Sequence, residues 1–131
     1  ESGFEAVWAS GLEISASYGV PDANILTMTQ FLSKAYEMNQ ATTLPIIADC
    51  DTGFGNVNNA IYMMEQYEAH GISGICIEDK KFPKVNSFIE GRQDLAEINE
   101  FAGKIRAVTD AKKDKNISIR YFILNFFGSI E

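Results

Sequence analysis

The sequence predicts an α/β fold with parallel strands. Short apolar runs alternate with stretches of helical periodicity, in the order strand, helix, strand, helix, strand, helix, strand. Such alternation implies parallel strands joined by right-handed crossovers. Polar side chains also gather where the strands end: Ser10 after the first, Asp49 and Asp51 after the second, Glu78 and Asp79 after the third. Functional groups at C-terminal strand ends characterise open α/β sheets and (β/α)8 barrels alike. A complete barrel takes roughly 200 residues or more, so a chain of this length holds about half of one.

Each element has a local reason. Glu1-Ser2-Gly3 reads as the tail of a helix with Gly3 as its cap. Residues 4–10 (FEAVWAS) follow as a strand, and Gly11-Leu12 leads into a segment that closes on Tyr18-Gly19-Val20-Pro21-Asp22, which is turn chemistry. A helix is expected over residues 27–39, where Met28, Phe31, Leu32 and Ala35 form one apolar face. Residues 44–49 lack polar alternation, as in a strand buried on both faces, and Pro45 and Gly53 bound the run. Asn56 or Asn58 can cap the next helix, with Ile61, Met64 and Tyr67 inward and His70-Gly71 at its close. His70 is the only histidine, and its place at a helix C-terminus suits carbonyl contact rather than catalysis. Residues 72–77 (ISGICI) make a strand and residues 80–92 a polar loop. Residues 94–111 form a helix through Leu95, Ile98, Ala102, Ile105 and Val108, and residues 110–116 a charged turn. The apolar stretch from residue 117 is a further strand.

The chain has 131 residues, 46% of them hydrophobic, which suits one domain with its own core. Eleven basic residues stand against 18 acidic ones, a net charge of -7 that argues against a nucleic-acid partner, since that needs a basic face. An anionic small molecule is still compatible, because a bound cation inverts local electrostatics. Cys50 and Cys76 follow no zinc spacing and sit in apolar runs, so they read as buried free thiols in a reducing, cytoplasmic setting. There is no signal peptide and no apolar run long enough to span a membrane, so no membrane role is expected.

The chemistry centres on Asp49-Cys50-Asp51-Thr52-Gly53-Phe54-Gly55-Asn56. If strand geometry persists, both carboxylates point to the same side. Two such charges repel unless a cation lies between them or one takes a proton, and magnesium favours oxygen ligands of this kind. The same Asp-x-Asp-x-Thr also matches haloacid-dehalogenase-type phosphotransferases, with Asp49 as nucleophile and Asp51 as acid/base. A calcium loop fits poorly, with Gly53 and Ala60 at ligand positions, and no third glycine makes a dinucleotide fingerprint.

Further motifs separate these readings. Trp8-Ala9-Ser10-Gly11-Leu12, Asp22, the Asp49 segment and Glu78-Asp79-Lys80-Lys81-Phe82-Pro83-Lys84-Val85-Asn86-Ser87 together resemble the phosphoenolpyruvate mutase family, within the isocitrate lyase superfamily. The resemblance runs from Gly3 to about Ile119. It implies a (β/α)8 TIM barrel of which residues 1–131 form a part, residues 1–119 being family-like and residues 120–131 departing from the pattern. The implied activity is magnesium-dependent interconversion of phosphoenolpyruvate and phosphonopyruvate. Asp49 would bind Mg2+ directly, Asp51 and Glu78 would hold the ion's waters, and Asp22 would stand close by. Ser10 and the N–H groups of Gly11 and Leu12 would grip the substrate carboxylate, with Trp8 as a pocket wall. Lys84, Asn86 and Ser87 would lie on a gating loop, Lys84 and Asn86 reaching the phosphoryl group on closure. Closure excludes water from a metaphosphate-like species. Family barrels are generally homo-oligomers.

Two features qualify the resemblance. The lyases of the superfamily carry a Lys-(Lys/Arg)-Cys-Gly-His segment that this chain lacks, whereas phosphonopyruvate hydrolase shares the Glu-Asp-Lys and Phe-Pro-Lys pieces and tends to have threonine where Asn86 stands. The family's Ala-Arg-x-Glu arginine, which binds the phosphoryl group, has only Arg120 as its counterpart, about two positions early and with no glutamate after it. The expectation is therefore a mutase, with the hydrolase or a related lyase as alternative and a non-catalytic barrel fragment as the reading of another class.

Overall fold

The computed structural model describes residues 3–84 and 94–122. The strands are β1 (Val7–Ala9), β2 (Ile46–Asp49), β3 (Gly74–Glu78) and β4 (Ser118–Phe122); the helices are α1 (Gly11–Ser17), α2 (Met28–Ala41), α3 (Val57–Ala69) and α4 (Ile98–Ala111). The strands form one parallel sheet in the order β1-β2-β3-β4.

The register sorts side chains into two faces. Ala9, Ala48, Ile75 and Ile119 stand level on one; Asp49, Cys76 and Arg120 stand level on the other. Ala9, Ala48 and Ile75, with Ile46 and Ile77, are buried in a core shared with Phe31 and Leu32 of α2, Met63 and Tyr67 of α3, and Phe101 and Val108 of α4. The opposite face carries Trp8, Ile47, Asp49 and Arg120, and Trp8 is 47% exposed. A doubly wound sheet reverses its strand order and has helices on both faces. Sequential strands with helices on one face instead make the wall of a barrel.

Local sequence accounts for the helix starts. Thr27 and Gln30 form a capping box on α2, and Asn56 and Asn59 form another on α3, which settles the cap on Asn56 rather than Asn58. At the far end of α3, His70 Nδ1 contacts the Gln66 carbonyl at 2.7 Å, the role expected of it. Both cysteines are free and buried.

The structure also departs from the sequence expectation. Residues 11–17 form α1 where only a lead-in to a turn was expected: Ser10 caps it by accepting from Glu13 N–H, and Ile14 and Ser15 are buried. The first strand shrinks to Val7–Ala9, leaving Phe4 exposed. The third begins at Gly74 rather than residue 72, although Ile72 is buried ahead of it. α4 begins at Ile98 because Leu95 pairs with Lys80 in an antiparallel bridge and Glu97 caps the helix through Asn99 and Glu100 N–H. Ile98, expected on the apolar face, is 67% exposed, and Phe101 takes the buried place. Gly3 has φ +88°, as a cap glycine would; Glu1 and Ser2 lie outside the described residues.

Candidate metal and phosphoryl site

The site grows from the end of β2. Cys50 N–H still donates to Cys76 O at 2.9 Å, and Glu78 N–H donates to Asp51 O at 2.7 Å, so the chains stay side by side beyond the sheet. Asp51 then turns left-handed, at φ 49°. Strand geometry therefore ends between the two aspartates, and the expected reason for their sharing a side does not hold. They converge by another route. Asp49 Oδ1 accepts the Asp51 N–H at 3.1 Å, and Asp49 Oδ2 accepts the Gly11 N–H at 3.1 Å. A Cβ on Gly11 would stand 3.0 Å from Asp49 Oδ2 and 3.4 Å from Asp51 Oδ1. Glycine is what lets α1 approach so closely, and its N–H is committed to Asp49 rather than left for a substrate oxygen.

Asp22 and Lys84 complete the cluster. The Lys84 ammonium is buried, 2.5 Å from Asp51 Oδ1 and 3.1 Å from Asp22 Oδ2. Asn24, left-handed at φ 54°, joins the parts: its amide donates to Asp51 Oδ2 at 2.7 Å and its carbonyl oxygen accepts the Lys84 N–H. Burial pushes the Asp51 carboxyl up to about 6 against the pull of Lys84, and Asp49 and Asp22 add to the rise. Burial alone would lower the Lys84 ammonium, but Asp51, Asp49 and Glu78 outweigh it and hold the pKa above the usual lysine value. At the end of β3, Glu78 Oε2 pairs with the Lys80 ammonium at 3.3 Å. Cys76, level with Asp49, has its thiol pushed up to about 12, by burial first and then by Asp49 and Glu78.

The structure thus brings together Asp22, Asp49, Asp51 and Lys84, with Glu78 on the adjacent strand end. Ser10 sits at the α1 N-terminus and is occupied as its cap; Trp8 and Leu12 are exposed nearby in sequence. Arg120 is level with Asp49 two strands away, on the same face and exposed. Asn86 and Ser87 lie outside the described residues. Two contributors escaped the sequence reading. Asn24 could have been suspected as an asparagine in Pro21-Asp22-Ala23-Asn24, since asparagine tolerates left-handed backbone. Lys104 donates to the carbonyls of Thr52 and Gly55; its signal was a lysine three residues after Phe101 and four before Val108, on the inner stripe of α4.

Among the described residues, no three acidic, cysteine or histidine side chains form a ready-made metal cage. The donor set still suits a hard cation: it is all oxygen, and Asp22 Oδ1 is buried without a hydrogen-bond partner among the described residues. A cation, the Lys84 ammonium, already stands between two of the carboxylates. An apolar groove of about 280 Å³ lies elsewhere, between α4 and β4, lined by Phe101, Ile105 and Tyr121 among others, and holds none of this chemistry.

Comparison with known proteins bears on this geometry. A family model described as phosphoenolpyruvate phosphomutase matches residues 1–124. The phosphonopyruvate hydrolase of Variovorax sp. is 49% identical over 120 residues, covering 91% of this chain and 41% of that protein. A crystal structure of phosphoenolpyruvate phosphomutase from Streptomyces platensis subsp. rosaceus superposes with a TM-score of 0.94 at 52% identity, covering 99% of this chain and 45% of that one. A phosphonopyruvate hydrolase solved in complex with oxalate and Mg2+ superposes with a TM-score of 0.85 at 44% identity, covering 96% and 42%. The chain therefore spans less than half the length of each of these relatives, and the four strands among its described residues match one part of their fold.

Proposed function

The chain belongs to the phosphoenolpyruvate phosphomutase family, and from that premise we propose that the protein interconverts phosphoenolpyruvate and phosphonopyruvate with Mg2+, in phosphonate biosynthesis. The observation that carries the proposal is the Lys84 ammonium held between Asp22 and Asp51 beside Asp49. A lysine reaching into a carboxylate cluster is suited to handling a phosphoryl group next to a divalent ion. Asp49 would hold the ion directly, Asp51 and Glu78 through water, with Asp22 adjacent; Mg2+ bound there supplies charge neutralisation and polarisation of the pyruvyl oxygens.

The chain's own residues do the rest in this reading. Trp8, Ser10 and Leu12 line the pyruvyl end, while the Gly11 N–H orients Asp49. Lys84, joined by Asn86 and Ser87, neutralises the migrating phosphoryl group and keeps water from it. Arg120 stands on the same side of the sheet as Asp49 and would add positive charge there for the phosphoryl group. Excluding water separates transfer to carbon from hydrolysis, because a metaphosphate-like group exposed to solvent is captured by water. The family match over residues 1–124 disfavours the aspartyl-nucleophile reading, which belongs to haloacid-dehalogenase-type enzymes.

Phosphonopyruvate hydrolysis is the second reading, favoured by the 49% identity to a curated hydrolase. The experiment is phosphorus NMR of the full chain with phosphonopyruvate and Mg2+. Phosphoenolpyruvate as product supports the mutase; phosphate with pyruvate moves the assignment to the hydrolase; no turnover means that this chain is a non-catalytic part of a barrel. A cytoplasmic homo-oligomer is part of the proposal, and sizing by light scattering tests the assembly. No helix among the described residues is long and apolar enough to cross a membrane.

A further inference from the structure

The turn that follows Asp51 is an unusual piece of backbone. Asp51, Gly53, Phe54 and Gly55 all have positive φ, at 49°, 90°, 59° and 142°. Asp51 and Phe54 carry side chains, and such residues stay in left-handed geometry only where their surroundings hold them. One side of the turn is held from the sheet, by Glu78 N–H on Asp51 O at 2.7 Å and Gly53 N–H on Cys50 O at 2.8 Å. The Phe54 ring packs on Phe31, centroids 5.5 Å apart.

The other side is held from α4. Lys104 lays its stem along the turn, its Cδ 3.7 Å from where a Cβ on Gly53 would stand. Its Nζ donates to Thr52 O at 3.0 Å and Gly55 O at 3.1 Å, spanning the turn from a helix 49 residues or more away in sequence. A lysine here gives up solvation for two neutral carbonyls; burial lowers its pKa, with Glu100 one turn earlier pulling the other way. Loss of a partner hydrogen-bonded behind a metal ligand typically costs about 10- to 100-fold in affinity, and Lys104 acts one step further out, on the turn that follows Asp51.

We propose that Lys104 is a positioning residue: its ammonium buckles the 52–55 turn to α4 and so holds Asp51, and through the Asp51 N–H also Asp49, where a divalent cation needs them. The proposal rests on the metal reading above, and its test separates the two. Mn2+ binding to the full chain is titrated by EPR of the free ion, with a melting curve recorded for each variant. Lys104→Met should weaken Mn2+ binding by about tenfold, the low end for loss of a group behind a metal ligand, and Lys104→Arg should recover most of it. Unchanged Mn2+ affinity in Lys104→Met overturns the proposal, even if its melting point falls, because a merely structural lysine would behave that way. Lys104→Arg as weak as Lys104→Met also overturns it. If Lys104→Met does not fold, Lys104→Gln, too short to reach both carbonyls, is read by the same criteria. Should the unmodified protein bind no Mn2+, the metal reading fails by itself. The clamp is then decided by amide exchange over residues 52–55, faster in Lys104→Met if it exists and unchanged if it does not.

Discussion

The two faces of the sheet are one residue apart along the same strands and behave as different materials. Ala9, Ile46, Ala48, Ile75 and Ile77 are dry and aliphatic under α2, α3 and α4. Trp8, Asp49 and Arg120, between and beyond them, remain partly or largely in contact with solvent. The pleat thus separates what holds the chain together from what it uses chemically. Substitutions on one face should register as stability and substitutions on the other as ligand affinity, and that division can be broken or sharpened residue by residue.

The largest effect is expected at Asp49. Asp49→Asn should cut turnover by about 10³-fold, several kcal/mol of lost charge stabilisation, with little change in melting temperature; a large melting shift with turnover retained would break the division. Lys84→Met should come next. Lys84 is buried between Asp22 and Asp51, and removing one partner of a buried ion pair costs about 3 kcal/mol. The metal-free variant should therefore melt earlier at pH 8, and Mg2+ should raise its melting point by more than in the parent. Equal Mg2+ shifts in the two proteins would mean that Lys84 and the ion do not share these carboxylates. Ile77→Ala, on the helix side, should cost about 3 kcal/mol in denaturant unfolding and leave the Mn2+ affinity of the folded protein unchanged.

A subtler effect follows from Asp51, whose carboxyl is pushed up to about 6 by burial. Its folded-state value lies above the ordinary one of about 4, so the folded chain holds this proton more tightly than the unfolded chain. That contribution is complete below about pH 4 and is lost as pH rises through about 6. Metal-free stability from this group should fall across that window, and Mg2+ affinity should rise across it as the proton leaves. Asp51→Asn should flatten the stability trend, and a trend that persists in the variant belongs to another group. The smallest effect is expected at Trp8, 47% exposed. Trp8→Ala should leave stability nearly untouched and raise KM a few-fold, about 1 kcal/mol of binding.

Much of the architecture was legible because parallel α/β units announce themselves. The inner stripe of α3 has a helical period, and the apolar run at residues 44–49 is too short for a helix and bounded by Pro45 and Gly53, which leaves few alternatives. What escaped was short or non-local. α1 has seven residues, too few for its periodicity to stand out from the turn signals around Gly19. Asp49 and Asp51 were found as a pair, but the reason they converge was not: it depends on the Gly11 N–H, 38 residues away, and on a left-handed Asp51. Asn24 and Lys104 act through contacts 27 to 60 residues apart in sequence, and spacing along the chain carries no record of such a bond.

Gly11 shows how vacant volume is inherited. Its N–H on Asp49 could come from any residue but proline; what glycine itself adds is the space a Cβ would take 3.0 Å from Asp49 Oδ2. A saturation library at position 11, selected for function, should be strongly enriched in glycine, while the neighbouring exposed Ala16 should accept most side chains. In descendants of this chain, drift would be slowed at position 11 even if the reaction changed, for as long as Asp49 stays in use, so the site's history is written partly in an atom that is never there.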